Sequence, residues 1–221
     1  MNDATIRVQG RGAIHVVPDV TRVEVTIQQW FSNHSQAYAQ AKENFGWMVK
    51  ILEYNKKPGE LAKTVRFDIE DYTENEYDAA DNYIGKKKNG FILHQGIKVD
   101  LPIDNYLVNC IVKGVGKFIP NAQINIGYTL QDERPSQMKM LARAVSDARD
   151  KARVMAESVD CRIGRVLHIL HHYSNVHVYS QARNIHSNSE AKASTSSSLD
   201  ITPEDLVMSD TADVTFELLN L

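Results

Sequence analysis

The chain has 221 residues, of which 43% are hydrophobic and 24% charged, and its formal net charge at pH 7 is −3. This composition is typical of a globular protein with a sizeable core, and it gives no electrostatic footprint for nucleic acid or an anionic membrane. From this charge we expect no nucleic-acid partner. We also expect no membrane span, since no apolar run approaches the ~20 residues of a membrane-spanning helix.

The N-terminal residues predict two strands. Hydrophobicity alternates over residues 6–16, where Gly10 and Gly12 indicate a bulge or a close approach of another backbone. A second half-buried strand alternates over residues 23–28. The Pro18-Asp19 turn is short, which predicts that the two strands pair as an antiparallel hairpin.

The next segment predicts a helix and two further strands. Asn33 or Ser35 can cap a helix that runs to about Tyr54. Strands follow over residues 65–69 and 91–101. The helix face expected to be buried carries Tyr38, Ala41, Phe45, Met48 and Leu52.

Residues 70–90, between these two strands, are predicted to form a hairpin arm or an extended loop. Acidic side chains crowd the segment, and Lys86-Lys87-Lys88 follows them. An EF-hand has fixed ligand spacing and a central glycine, which are missing here, so a solvated, self-repelling arm is favoured over a cation site. Its tyrosines supply contact area for a protein partner. The acidic residues are Asp68, Glu70, Asp71, Glu74, Glu76, Asp78 and Asp81, and the tyrosines are Tyr72, Tyr77 and Tyr83.

A second helix, capped by Asp104, and a strand over residues 124–130 lead to a long third helix that Pro135 or Ser136 opens. Apolar or small residues recur at steps of three and four, and this spacing predicts the buried face of the helix. The small residues among them allow close packing on a sheet. That face carries Met138, Leu141, Val145, Ala148, Ala152, Met155 and Val159, and the opposite face carries Arg143, Asp147, Asp150, Lys151, Arg153 and Glu157.

The C-terminal part predicts a strand over residues 166–170, a serine-rich flexible loop near 186–200, and a closing strand over 212–218. The resulting order, ββαββαβαββ, predicts an α+β fold with a mainly antiparallel sheet and helices packed on one side. We expect a single domain over residues 1–221.

Five segments resemble, in order, the SIMPL-domain family, a largely uncharacterised group that includes bacterial periplasmic immunogenic proteins. They are VQGRGAIHVVPDVTRVEVTI, AQAKENFGWMVKIL, GFILHQGIKVDL, LARAVSDARDKARVMAESVDCRIGRVLHI and LDITPEDLVMSDTADVTFEL. The resemblance implies a two-part α+β fold and self-association into ring-like or larger assemblies. Bacterial members are often exported and loosely linked to stress tolerance, including oxidative-stress defence. The family has no established catalytic residues, so none are carried over.

Three histidines form the best metal candidate, in the sequence VLHILHHYSN. Alternate strand residues share a face at ~6.8 Å per pair, so His168 and His172 face one way at roughly twice that spacing, and His171 faces the other. Joint coordination of zinc at ~2.0–2.1 Å per ligand would require a sharp bend. Histidines on the polar face or at the end of a strand are therefore the favoured interpretation.

No other motif predicts a reaction or a cofactor. Gly10-Arg11-Gly12 lacks the third glycine, the Lys-Ser/Thr ending and the following helix of a phosphate-binding loop. Cys110 and Cys161 lie in apolar helical and helix-end patterns, which predicts two buried thiols in a reducing compartment rather than a disulfide or metal pair. We therefore assign no catalytic, cofactor-binding or metal residues.

The leading hypothesis is a non-enzymatic protein that acts through its surfaces, as a self-assembling homo-oligomeric scaffold or as a module that binds a protein partner through the 70–90 arm. The alternative is a metal-dependent binding protein or enzyme that uses His168, His171 and His172. A third hypothesis is an envelope or stress-response protein. The start MNDATIRVQG has no signal-peptide pattern, so the expected location is cytoplasmic as written, and periplasmic or cell-envelope if a leader was removed.

Overall fold

The structure is a computed structural model that describes residues 4–79, 81–171, 180–186 and 203–220. The elements in chain order are β1 (Thr5–Val16), β2 (Val20–Phe31), α1 (His34–Tyr54), β3 (Ala62–Tyr77), β4 (Tyr83–Pro102), α2 (Asn105–Phe118), β5 (Ala122–Thr129), α3 (Arg134–Glu157), β6 (Cys161–His171), β7 (Ser180–His186) and β8 (Leu206–Asn220). The α+β class and the antiparallel strand pairing predicted from the sequence are confirmed. No helix in the described ranges is both long and apolar enough to cross a membrane.

The chain divides into two compact units, in keeping with the two-part fold that the resemblance implies. The three-stranded unit comprises Met1–Pro18, Thr129–Ser180 and Pro203–Leu221, and the five-stranded unit comprises Asp19–Tyr128 and Gln181–Thr202. The first has the strand order β1-β8-β6, and the second has the order β3-β4-β2-β5-β7.

In the three-stranded unit, α3 packs on one face of the sheet through a stripe of small side chains. Gly10 and Gly12 of β1 lie under this stripe, and a Cβ atom on either would overlap a main-chain carbonyl oxygen of α3, that of Ala144 or Met140. The close backbone approach predicted for the two glycines is therefore confirmed. The fully buried residues of α3 are Met140, Ala144, Ala148, Ala152 and Ala156.

The predicted buried face of α3 is wrong in part. Ala148 and Ala152 are buried as expected, and Leu141 and Val145 are partly buried, but Met138 and Met155 of the helix, and Val159 just beyond it, are exposed. The actual stripe repeats every fourth residue and consists almost entirely of alanine. Because the glycines of β1 bring the two backbones so close, the line of contact is made by four alanines and Met140, and the other large apolar residues of the helix lie on its flanks.

In the five-stranded unit, β4 pairs antiparallel with both β2 and β3, and both helices contribute to the core. Both predicted N-caps are confirmed, since Asn33 Oδ1 accepts the Gln36 N–H at 2.9 Å and Asp104 Oδ1 accepts the Leu107 N–H at 3.1 Å. The helices supply to the main core Met48, Ile51 and Leu52 from α1 and Leu107, Val108, Ile111 and Val115 from α2.

A buried polar pair joins α1 to β4. Asn44 Nδ2 donates to Gln95 Oε1 at 3.1 Å, and Gln95 Nε2 donates to the Ala41 carbonyl at 2.8 Å. The side-chain amide of Gln40 donates to Asn44 Oδ1 at 3.1 Å. Both side chains of the pair are almost completely buried, so their polar atoms rely on these protein partners for hydrogen bonds.

Two strand assignments differ from expectation. The predicted β1–β2 hairpin is wrong, because β1 pairs along its whole length with β8 and lies in a different sheet from β2. The turn at Pro18-Asp19 instead leads from one unit to the other. β7 was not predicted, since Ala182 and Ile185 are its only apolar residues. Most of the predicted serine-rich loop at 186–200 lies outside the described residues.

Candidate functional site

The structure places His168 and His171 on opposite faces of β6, as predicted. His168 stands opposite Thr215, whereas His171 stands opposite the buried Ala212, on the face toward α3. His171 Nε2 lies 2.7 Å from Asp210 Oδ2, and the other oxygen of that carboxylate accepts the Thr211 N–H at 2.8 Å. The carboxylate thus orients the imidazole.

The described geometry does not bring His168 and His171 together at one metal centre. His168 and His171 point to different sides of the sheet, and His172 lies outside the described residues. Among the residues that the structure describes, no group of three histidine, cysteine or acidic side chains is placed to hold a metal ion. The contact described for His171 is the one with Asp210, in the three-stranded unit.

The two edge strands of the three-stranded sheet differ in how they are covered. Along β1, side chains of α3 bind main-chain atoms at alternate residues. Arg143 Nη1 donates to the Ala13 carbonyl at 2.7 Å. Asp147 accepts the Arg11 N–H at 2.7 Å, and Lys151 donates to the Gln9 carbonyl at 3.4 Å. These side chains, predicted to lie on the solvent face of α3, instead occupy the main-chain groups of one sheet edge.

Asp147 is the best-connected of these side chains. Its carboxylate also lies 2.6 Å from Lys151 Nζ. The hydrogen bond to Lys151 and the one from the Arg11 main-chain N–H lower the pKa of Asp147 below its usual range. The charged form is thus the one that joins α3 to β1.

At the opposite edge, β6 exposes apolar side chains. Val166 and Ile169 are each 50% exposed, Leu167 is 41% exposed and Leu170 is 37% exposed. β6 pairs with β8 on one side, and no other described strand pairs with it. An edge strand with this composition offers both main-chain hydrogen-bonding groups and apolar surface to another chain.

A hollow of about 460 Å³ borders β6 on the side toward α3. Its walls come from α3, β6 and β8, and most of them are apolar: Val145, Ile163, Val166, Val214 and Phe216. The apolar edge therefore continues into a concave surface.

In the five-stranded unit, β3 and β4 form a hairpin across the acidic segment. β2 accompanies β4 only as far as Phe31 opposite Phe91, whereas β3 remains paired to Tyr77 opposite Tyr83. The ribbon over residues 73–88, which we call the arm, therefore extends beyond the third strand. Every predicted acidic residue on it or at its base is exposed.

Acidic and basic side chains face each other along this hairpin. Lys88 Nζ lies 2.7 Å from the Asp71 carboxylate, and Glu74 stands opposite Lys87. The predicted self-repulsion is thus reduced by lysines on the neighbouring strand. At the end of the arm the rings of Tyr77 and Tyr83 meet edge to face, with centroids 6.0 Å apart.

A groove between α1 and α2 was not predicted from the sequence. Its signal is present in the sequence, because aromatic and lysine side chains recur at helical spacing on the outer face of each helix. The lining residues are Trp47, Lys50, Ile51, Tyr54 and Asn55 of α1 and its cap, and Tyr106, Cys110, Lys113, Gly114, Lys117 and Phe118 of α2.

Both cysteines are free thiols, as predicted, but each is partly exposed rather than buried. Cys110 lies in the groove, where its contact with the Tyr106 hydroxyl raises the pKa of that phenol. Cys161 begins β6, and its Sγ lies 3.7 Å from Asn220 Oδ1.

In a comparison with known protein families, the family SIMPL, described as a protein of unknown function (DUF541), matches residues 6–216. No curated protein matches the chain. Because the matched region runs through both units and almost the whole sequence, the chain belongs to the SIMPL family.

Proposed function

We propose that this SIMPL-family protein is a non-enzymatic, self-associating protein, and that two copies join through β6. The observation that carries the proposal is the apolar, exposed edge formed by Val166, Leu167, Ile169 and Leu170. An exposed hydrophobic edge strand is a template for pairing with another chain, which charge, proline, a bulge or a covering element weakens. The register of β6 with β8 shifts between Ile163 and Val166 and between Val166 and His168, whereas His168 to His171 pair residue by residue. This last stretch is therefore the part of β6 that offers a regular ladder to a second copy.

The contrast between the two edges supports β6 as the contact. On β1, polar side chains of α3 occupy main-chain groups that another strand would need. On β6, four apolar side chains lie in the six residues from Val166 to His171, and Arg165 is the charged residue immediately before them. A second β6 would extend the sheet and place side chains against the hollow beside α3.

Antiparallel pairing of two β6 strands would form a closed, two-fold contact, since each copy presents the same surface to the other. The histidines fit this function better than joint catalysis at one metal ion. His168 and His171 lie on opposite faces of the strand, so they would be positioned as parts of a contact surface.

The test is the solution mass of the untagged full-length protein, measured by light scattering over a tenfold concentration range. We expect a discrete multimer for the natural sequence. V166K places like charges in the β6 contact, where they lose hydration and repel across the two-fold axis. We expect its dissociation constant to rise by about tenfold or more.

The matched control is V154K, because Val154 is also an exposed valine of the same unit, 63% exposed on α3. It adds the same charge away from β6 and should leave the multimer intact. A monomeric natural protein throughout the range, or equal masses for V166K and the natural sequence, would contradict the proposal. Circular dichroism melts establish that each variant is folded, and L167K repeats the test if V166K is not.

A further inference from the structure

The groove between α1 and α2 combines aromatic side chains with positive charge. Its volume is about 560 Å³, within the range of pockets that hold small organic ligands. Three lysines line it, and no acidic residue does. The chain as a whole is slightly acidic, so this local positive charge is a property of the groove and not of the average surface.

An aromatic stack forms part of the groove wall. The rings of Trp47 and Phe118 are nearly parallel, at 11°, with centroids 4.6 Å apart. Tyr54 and Tyr106 are 89% and 78% exposed. These four rings come from both helices, and together they offer flat apolar surface to a ligand at little cost in side-chain entropy.

Two of the three lysines are held against this stack. Lys50 Nζ lies 4.4 Å from the centroid of the Trp47 ring, and Lys117 Nζ lies 5.0 Å from that of Phe118. Such cation–π contacts keep an ammonium group over an aromatic face. Within the described part of the chain, no carboxylate lies within ion-pairing distance of Lys50, Lys113 or Lys117.

Trp47 and Phe118 are partly buried and pack against the main core, whereas the lysines and tyrosines of the groove do not belong to that core. The buried side chains of α2, such as Leu107, Ile111 and Val115, lie on its other face. Gly114 lets α2 approach α1, because a Cβ atom there would come within 2.9 Å of an Ile51 methyl group. The apolar floor is thus set by helix packing, while the lysines and tyrosines above it remain available to a ligand.

From this geometry we infer that the groove is a binding site for a small organic anion. Lys50 and Lys117 cover the outer ring faces of the Trp47–Phe118 stack. The apolar body of the ligand therefore lies against the exposed rings of Tyr54 and Tyr106 and the edge of the stack, and its carboxylate, sulfonate or phosphate group is held by the lysines. This class of ligand follows from charge complementarity with the lysines and from the aromatic lining of the groove. This site belongs to the five-stranded unit and does not depend on association through β6, so the two proposals succeed or fail separately.

The test uses two probes with the same aromatic body, 8-anilino-1-naphthalenesulfonate and its uncharged analogue N-phenyl-1-naphthylamine. The chain has two tryptophans, so a W30F background leaves Trp47 in the groove as the sole indole reporter. We expect saturable quenching of Trp47 by the sulfonate, an affinity at least tenfold weaker for the neutral analogue, and weaker sulfonate binding at higher salt.

Charge variants identify the residues responsible. K113Q/K117Q removes two charges from the groove and should weaken sulfonate binding about tenfold or more, with little effect on the neutral probe. The control K87Q/K139Q makes the same change in net charge at exposed lysines elsewhere, and it should change neither affinity by more than about twofold. Decanoate, with an acid group and an apolar chain, should displace the sulfonate, and inorganic phosphate should do so far less.

Several results would overturn the inference. Equal binding of both probes, or sulfonate binding that K113Q/K117Q leaves unchanged, would mean that the lysines do not select an anion. If inorganic phosphate displaced the sulfonate completely at the concentrations at which decanoate does so, the apolar wall would contribute nothing to ligand binding. The number of probe sites per chain could also fall as the protein associates, while the dissociated form binds the probe fully. That result would mean that a second copy of the chain, and not a small anion, occupies the groove.

Discussion

Replacing Gly10 with alanine tests the close contact between β1 and α3. The added Cβ would overlap the Ala144 carbonyl oxygen and lie 2.8 Å from the Ala148 Cβ, whereas carbon atoms in ordinary contact are ~3.5–4.0 Å apart. Both obstacles are part of, or fixed to, the helix backbone, so α3 must move as a body. Overpacking of this kind costs about 1–3 kcal/mol, and we expect the upper end.

A smaller opposing effect comes from the unfolded chain, which alanine restricts by about 0.4–1 kcal/mol. The net loss for G10A is therefore about 2 kcal/mol in the free energy of unfolding. In a domain of 150–250 residues this lowers the melting temperature by roughly 4–8 °C. Urea unfolding followed by circular dichroism, together with thermal melts, measures the effect.

The matched control is G116A, because a Cβ at the exposed Gly116 of α2 meets nothing within 4 Å. Alanine is the better helix former by about 1 kcal/mol, so G116A should be neutral or stabilising. If G10A unfolds at the same urea concentration as the natural protein, or at a higher one, the tight backbone contact and the reasoning built on it are refuted.

Two further predictions concern buried and charged polar groups. N44A leaves Gln95 Oε1 buried without its donor, so we expect a loss of about 2–3 kcal/mol in urea unfolding; an unchanged midpoint would contradict this. The lowered pKa of Asp147 means that its stabilising contribution is present above the ordinary value near 3.9 and is lost as pH falls through the folded-state value. D147N should therefore flatten the acid side of the stability profile, by less than about 1 kcal/mol because the pair is exposed. Melts across pH 2–6 at low salt test this, and parallel profiles would refute it.

Local patterns in the sequence were sufficient for most of the elements and for the N-caps of α1 and α2. Asn33 and Asp104 carry short side chains that accept main-chain N–H groups at helix starts, and this interaction depends on neighbours three residues away. Strand alternation likewise reports which face is buried. It does not report which strand lies alongside, and this is why the β1–β2 hairpin was predicted wrongly.

The error in α3 has a different cause. Hydrophobicity ranks methionine and valine above alanine, so the periodic analysis selected Met138, Met155 and Val159 for the core. In the structure, Gly10 and Gly12 let the backbone of α3 lie directly against β1. The short distance between the two backbones, and not hydrophobicity, therefore decides which side chains fit between them. Only alanines and one methionine fit the line of closest approach. The glycines could have indicated this, had they been considered together with the alanine spacing.

The candidate surfaces were harder to predict, since each depends on which distant segments of the chain lie side by side in the fold. The groove joins side chains of α1 and α2 that are about 60 residues apart in sequence. The open edge at β6 depends on the order of strands in a sheet that contains both ends of the chain. The histidine motif drew attention to β6, but the exposed apolar residues beside those histidines carry the proposed function.

Strand order also determines when β6 can act as a contact edge. β8 is the central strand of its sheet, and it pairs with β1 and β6, which do not pair with each other. The paired residues of β1 and β8 are about 200 positions apart, as in Arg7 opposite Thr215, so loop closure makes this contact costly to form early. Until β8 is in place, β6 has two unpaired edges and no defined partner. Once β8 has paired, one edge is satisfied and no other described strand pairs with the second, so the proposed association through β6 requires that β8 has already joined the sheet.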